Sequence, residues 1–218
     1  MFKAPDSLAE QIASHITERI IYGELKPKER IQEQKVTQAL DVSRGSVREA
    51  LLILERRHLV VILPRRGAHV AELSAENVKS LYALVVELYI LLGCAVAENW
   101  KTESDLKPFF EHKARLIASL EQKDIKGFIN GSFQVLRETY PFARNPYLQQ
   151  TVEDLVPAIT RTYHLSLEKR KGEMGKFFAT FESLLQALVN RDKQAIRQLL
   201  LSYAEDNCQL VLAALEDS

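Results

Sequence analysis

Residues 42–67, VSRGSVREALLILERRHLVVILPRRG, constrain this chain more than any other stretch. Ser43 stands immediately before a periodic apolar run, where its hydroxyl can accept a hydrogen bond from a free amide of the first turn, so it reads as a helix N-cap. Val47, Ala50, Leu51 and Leu54 then recur at i, i+3, i+4 and i+7, one face of an α-helix. Arg44 and Arg48, four residues apart, neighbour each other beside that stripe at the start of the helix. After Arg57 the period becomes extended: 59–63 is a β-branched run, Pro64-Arg65-Arg66-Gly67 is a turn, and 68–71 returns as a second strand. Between residues 44 and 66 all six basic residues are Arg, against two acids, Glu49 and Glu55. The guanidinium fork pairs bidentately with phosphate or guanine. A capped helix with Arg at its exposed start, followed by a hairpin with an Arg-Arg-Gly tip, suits a DNA groove.

The preceding sequence completes a domain around this segment. Residues 7–22 predict a first helix with Leu8, Ile12, Ile16 and Ile20 as its apolar row and Gly23 as its stop. Pro27 marks a turn, 32–40 predict a short second helix, and Asp41-Val42 link it to the third. Three helices in that arrangement, followed by a hairpin, make a winged helix-turn-helix over 1–73. From Ser74, a second N-cap, no strand alternation is visible. Helical stretches are expected over 75–100, 103–122, 124–143, 146–171, 173–190 and 192–216, with breaks near Pro108, Gly127, Pro141, Pro146, Pro157 and Gly172. Short connections imply antiparallel neighbours. The expected fold is therefore mainly α: an N-terminal winged helix-turn-helix and, over 74–218, a C-terminal all-α antiparallel helical bundle.

Composition alone does not point to nucleic acid, because the formal net charge is zero. Its distribution is more informative: residues 1–73 carry twelve Lys/Arg against ten Asp/Glu, and 74–218 carry seventeen against nineteen. Cys94 and Cys208 lie in apolar helical contexts and read as reduced, buried residues, consistent with a cytoplasmic protein. The N-terminus lacks the apolar segment of a signal peptide. The most apolar run, 81–97, is 17 residues long and contains Glu87, so a bundle helix rather than a membrane span is expected. No Gly-rich phosphate loop, G-x-S-x-G elbow or H-E-x-x-H motif supports an enzyme.

The segments IIYGELKPKERI, ALDVSRGSVREALLILERRHLV and PRRGAHV resemble the N-terminal domain of GntR-type bacterial transcription regulators. The helical remainder, with ARNPYL at 143–148, resembles the FCD (FadR-like) ligand domain, so the resemblance covers nearly the whole chain. It implies a homodimer gripping double-stranded DNA at a pseudo-palindromic operator. Recognition-helix contacts fall on Ser43, Arg44, Gly45, Ser46 and Arg48. Arg65 and Arg66 add phosphate or minor-groove contacts, and Gly67 lets the wing tip approach the minor groove. Arg56 and Arg57 sit at the far end of the helix, where they serve either DNA or the helix dipole. Two departures bear on the operator sequence: Lys28 stands where the family's turn usually has Gly, and Gln34 where a DNA-contacting Arg is frequent.

The resemblance also carries a metal question. Many FCD proteins hold a divalent ion with an Asp and three His. Here the corresponding positions carry Asn130, Gln134, Phe181 and Tyr203, and the five histidines (His15, His58, His69, His112, His164) have no ligand-like spacing. Such a set lacks strong donors, so no metal and no cofactor are expected. An Arg and a Glu frequent on the first long helix of the family appear as Val85 and Tyr89, which makes the pocket more apolar. Candidate effector-binding residues are Asn130, Gln134, Arg161, Phe181 and Tyr203. Each has a plainer alternative: a solvated pair for Asn130 and Gln134, a surface ion pair for Arg161, core packing for Phe181 and Tyr203. The implied function is a sequence-specific DNA-binding repressor controlled by a small-molecule effector of apolar or mixed character. The alternative is a constitutive DNA-binding factor whose helical domain only dimerises.

Overall fold

Helix α1 (Leu8–Ile21) is capped by Ser7, whose hydroxyl accepts from the Glu10 amide, and it buries Ile12, Ile16 and Ile20. The computed structural model describes residues 7–169 and 171–216, with only the backbone of 169 and 171. The helix expected over 146–171 and the outer domain limits at 1 and 218 therefore reach outside the described residues. Two units separate by their internal contacts: the chain up to Leu73 together with Glu153–Arg161, and Ser74–Val152 together with Thr162 onward.

In the first unit α1 is followed by β1 (Arg30–Ile31), α2 (Glu33–Leu40), α3 (Arg44–Arg56), β2 (Val60–Leu63) and β3 (Gly67–Val70). Asp41, in the left-handed region at φ 51°, ends α2 and reverses the chain into α3. The three strands form one antiparallel sheet in the order β1-β3-β2. Its hairpin register pairs Val60 with Val70 and Leu63 with Gly67. Strand β1 is absent from the expected elements. It is two residues long and exists because Arg30 and Ile31 pair with His69 and Ala68, a register that no local period reveals. Ile16, Val47, Ala50, Leu54 and Leu59 are all fully buried in the core beneath these elements. Each Val, Leu or Ile side chain so buried contributes about 1.5–3 kcal/mol.

Lys28, the departure from Gly, adopts φ 65°. An L-residue there costs about 1–2 kcal/mol, which is the physical reason Gly suits the position. Its amide donates to the Val70 carbonyl at 3.0 Å, and its Nζ pairs with Glu72 at 2.8 Å, holding the strained turn in place.

Side-chain bonds tie the segment Glu153–Arg161 to the rest of the first unit. Arg56 Nε donates to Asp154 Oδ1 at 3.1 Å, and an Arg161 guanidinium nitrogen donates to the Ala71 carbonyl at 2.7 Å.

The second unit is helical. It contains α4 (Ala75–Asn99), α5 (Glu103–Glu121), α6 (Ile125–Arg137), α7 (Tyr140–Ala143), α8 (Pro146–Lys169) apart from its Glu153–Arg161 segment, a 3-10 turn (Lys171–Glu173), α9 (Met174–Val189) and α10 (Lys193–Glu216). Ser74 caps α4, and Thr102 with Asp105 forms a capping box on α5. The breaks expected at Pro108 and Pro157 do not occur: both prolines lie inside helices, α5 and α8. Pro141 instead marks a real division, since the expected 124–143 helix is split into α6 and the four-residue α7.

Helix α4 is 25 residues long, which extends well past the 17-residue apolar run and makes it long and apolar enough, by length and composition alone, to cross a membrane. Its Val78, Tyr82, Val86, Ile90 and Val96 are buried, the pattern of a core helix. Gly93 permits its close packing with α10, because a β-carbon there would stand 2.9 Å from Ile196 Cγ2. At its C-terminus Arg191 donates to the carbonyls of Ala97 and Trp100 at 2.9 and 2.7 Å and lies 3.9 Å over the Trp100 ring, meeting orphan acceptors with a cation.

Candidate functional site

The first candidate surface begins at the N-terminus of α3. Ser43 has extended φ and ψ, and its Oγ accepts from the Ser46 amide at 3.0 Å, so the capping read from sequence is formed. Because Val47, Ala50, Leu51 and Leu54 turn to the core, Arg44, Gly45 and Arg48 are left exposed. Among the described residues Arg44 has no hydrogen bond or ion pair. Arg48 differs: its Nε donates to Glu33 Oε2 on α2 at 2.9 Å, with 69% of the Arg side chain still exposed. One edge of the guanidinium is thus held, and its outer nitrogens remain open to a ligand.

The wing supplies the second part. The Arg66 amide donates to the Leu63 carbonyl at 3.1 Å, closing a four-residue turn with Pro64 in second place. Arg65 occupies third place with φ 63°, where a turn of this kind favours Gly. A bulky residue held in that region is strained, and strain of this kind concentrates at functional sites. Arg65 and Arg66 are exposed, and Gly67 follows at φ 83°.

Arg30 on β1 was missed in the sequence. A β-carbon at Gly67 would lie 3.6 Å from its Nε, so this exposed guanidinium sits beside the wing turn. Its only sequence signal was an Arg within a turn-rich stretch. Arg56 and Arg57 are structural pairs, the first with Asp154 and the second with Glu10 at 2.7 Å. That arrangement leaves Arg30, Arg44, Arg65 and Arg66 as exposed guanidinium groups without an anionic partner among the described residues. A duplex supplies such partners as phosphates and guanine edges.

The second unit holds a partly open cavity of about 130 Å³ between α4, α5, α6, α8, α9 and α10. Phe181 and Tyr203 line it, together with Tyr89, Phe133, Tyr163 and Phe177. Phe133 stacks on Tyr163 at 5.9 Å between ring centres, and Tyr203 meets Phe177 edge-on at 5.7 Å. Burial pushes the Tyr163 hydroxyl well above, and the Tyr203 hydroxyl above, the ordinary phenol range, so both are protonated donors. Ser132 and Thr180 complete the polar lining, and among the described residues no charged side chain lines it.

Three expected effector residues are placed elsewhere. Asn130 and Gln134 are exposed, whereas Ile129 and Phe133, one position earlier, are buried. A helix advances about 100° per residue, so a one-residue error in register turns an inward position outward. Arg161 is 5% exposed and spends its charge on the Ala71 carbonyl in the first unit, not on the cavity. Burial pulls its guanidinium down to about 10. Among the described residues no three His, Cys, Asp or Glu side chains cluster as metal donors.

Comparison with known proteins places both domains in known families. Residues 8–70 match the family described as bacterial regulatory proteins, gntR family, and residues 85–206 match the FCD domain. The chain belongs to the GntR family of regulators, with an FCD domain. The HTH-type transcriptional regulator McbR of Escherichia coli is 24% identical over 206 residues, covering 94% of this chain and 93% of McbR. The gluconate operon transcriptional repressor of Bacillus licheniformis is 26% identical over 216 residues, covering 97% of this chain and 86% of the relative. Among solved structures, E. coli McbR/YncC superposes with a TM-score of 0.79 at 23% identity, covering 96% of this chain and 99% of McbR. A GntR regulator from Rhodococcus sp. RHA1 gives 0.75 at 23% identity, with the same coverage of both chains. The fold class follows: a GntR winged helix-turn-helix and an FCD helical domain. Relatives named as transcriptional regulators make this regulator a DNA-binding protein of a non-enzymatic family.

Proposed function

We propose that this regulator is a repressor that binds a pseudo-palindromic operator as a homodimer and is controlled by a small, largely apolar effector. Residues 1–73 act as the DNA-binding domain and 74–218 as the effector-binding and dimerisation domain. The observation that carries the reading is the set of guanidinium groups at the capped start of α3 and at the strained wing turn. Arg44 and Arg48 read bases or phosphates in the major groove, with Ser43, Gly45 and Ser46 at the backbone. Arg65, Arg66, Gly67 and Arg30 address the neighbouring backbone and minor groove. The name of the Bacillus licheniformis relative supports repression as the direction of control.

Dimerisation is supported by the large apolar side chains left exposed on α4 and α10, namely Leu84, Leu91 and Leu201. The effector reading is supported by the aromatic cavity, in which Phe181 and Tyr203 contact the ligand. A cytoplasmic location accords with a DNA partner. Ligand binding repacks the helices around the cavity and changes the spacing of two winged helices that grip half-sites about one helical turn apart.

A band-shift titration on DNA upstream of the regulator's own gene tests the first part. A clear preference over random duplex at about 0.15 M salt is expected, because specific binding exceeds non-specific binding by ~10³-fold or more. Equal affinity for both duplexes would falsify it. Ligands that bind the protein yet leave operator affinity unchanged favour a constitutive factor.

A further inference from the structure

The cavity in the helical unit has room for about one six-membered ring. Its volume of about 130 Å³ is close to the ~150 Å³ apolar cavity that accepts benzene. A long acyl chain or a coenzyme A thioester is not contained by that space alone. Its walls are faces and edges of Phe133, Tyr163, Phe177 and Tyr203, which receive a further ring by offset or edge-on stacking. With no charged side chain in the lining among the described residues, a carboxylate would lose its hydration and gain no cation there.

Phe177, Thr180 and Tyr203 also line a second, polar groove of about 510 Å³, so the two spaces share a wall. In that groove Asn207 is fully buried, its Nδ2 donates to the Tyr203 carbonyl at 2.6 Å, and its Oδ1 has no hydrogen-bond partner among the described residues. A buried acceptor without a partner is costly, and a rotation of the Asn207 side chain, which now closes Oδ1 off from solvent, would bring it to a ligand N–H or O–H in the groove. Lys176 of the same groove is already paired with Glu173 at 3.0 Å, whereas Asp206 has no cationic partner among the described residues. The groove therefore disfavours an anionic head group.

We infer that cavity and groove hold one ligand between them, a single-ring aromatic molecule carrying an O–H or N–H donor. The ring occupies the aromatic cavity and the donor is directed to Asn207 Oδ1. This inference rests on the reading of the helical unit as an effector domain.

The test is calorimetric titration of the full chain with probes that share size and differ in head group: 2-phenylethanol, 2-phenylethylamine, ethylbenzene and phenylacetate, with octanoate as a chain-like control. The alcohol and amine are expected to bind, with ethylbenzene about fivefold to tenfold weaker for want of one hydrogen bond. Phenylacetate and octanoate are expected not to bind. Asn207→Leu removes the advantage of the alcohol over ethylbenzene and leaves ethylbenzene binding in place. Ser132→Phe fills the cavity and abolishes binding of all five probes. Binding of phenylacetate or octanoate as tightly as the alcohol overturns the ligand class, and so does silence across the wild-type series. The wild-type series decides the matter even where Asn207→Leu fails to fold. Band shifts with bound probe separate the two readings. Tight alcohol binding with unchanged operator affinity overturns the effector role and leaves the ligand class standing, and operator release by octanoate does the reverse.

Discussion

The Arg48–Glu33 pair makes a quantitative prediction about DNA recognition. Glu33 holds Arg48 Nε at 2.9 Å, with side-chain exposures of 69% for Arg48 and 35% for Glu33. An ion pair this exposed contributes only about 0.2–1 kcal/mol. Because it occupies one edge of the guanidinium, the two terminal nitrogens stay available for a bidentate base contact worth about 1–3 kcal/mol. Arg48→Ala should therefore weaken operator binding by about 5- to 150-fold. Glu33→Gln, which loosens the aim of Arg48 without removing it, should weaken binding by no more than about fivefold. The two should not add: in the Arg48→Ala background Glu33→Gln should have almost no effect, since its influence passes through the missing side chain. Fluorescence anisotropy on an operator duplex and a random duplex at one fixed salt concentration measures all four proteins. Tighter operator binding by Glu33→Gln alone would show that Glu33 competes with DNA for Arg48, and the reasoning would fail. Equal weakening on both duplexes, with the salt slope reduced by about one, would move Arg48 from base reading to phosphate contact.

Further perturbations address other parts of the chain. Ser43→Ala removes the cap on α3 and should lower stability by about 0.5–2 kcal/mol in urea titration; an unchanged midpoint would mean the cap is dispensable. Gly67→Ala places a side chain at φ 83°, costing about 1–2 kcal/mol, and should weaken DNA binding beyond its effect on melting; normal affinity would remove the wing from the interface. His164 is half-buried rather than on the surface, and burial lowers its imidazole pKa against the opposing pull of Glu168. The unfolded chain then binds the proton more readily, so stability is full above the ordinary imidazole range and falls as pH drops through about 6.5. His164→Gln should flatten that acid-side loss of melting temperature, and an unaltered profile would assign the loss to other groups.

The local structure that carries the candidate interface was largely legible in the sequence because its determinants are local. A serine before an apolar period specifies a cap, and a β-branched run ending in Pro-Arg-Arg-Gly specifies a hairpin. Both lie where expected, within a residue at each end. Arg30 was not legible, since it reaches the wing only through the pairing of β1 with β3 across a separation of nearly forty residues. The cavity was legible in part. Phe181 and Tyr203 belong to strong apolar stripes that could face only inward, whereas Asn130 and Gln134 depended on the register of α6, which its neighbours set. Arg161 went astray for a related reason: its acceptor is the Ala71 carbonyl, ninety residues away.

The sequence by itself determined the winged helix-turn-helix, the helical character of the remainder and the concentration of arginine on α3 and the wing. Caps, turn residues and hydrophobic period act over a few residues and need no distant partner. Tertiary structure alone decided which arginines stay free and which become struts, as Arg56 and Arg57 do with Asp154 and Glu10. It also decided that an aromatic cavity the size of one ring lies near Asn207, whose Oδ1 has no hydrogen-bond partner among the described residues. Those outcomes depend on how helices rotate against each other, and a turn of about 100° per residue separates a wall of the cavity from a face in water.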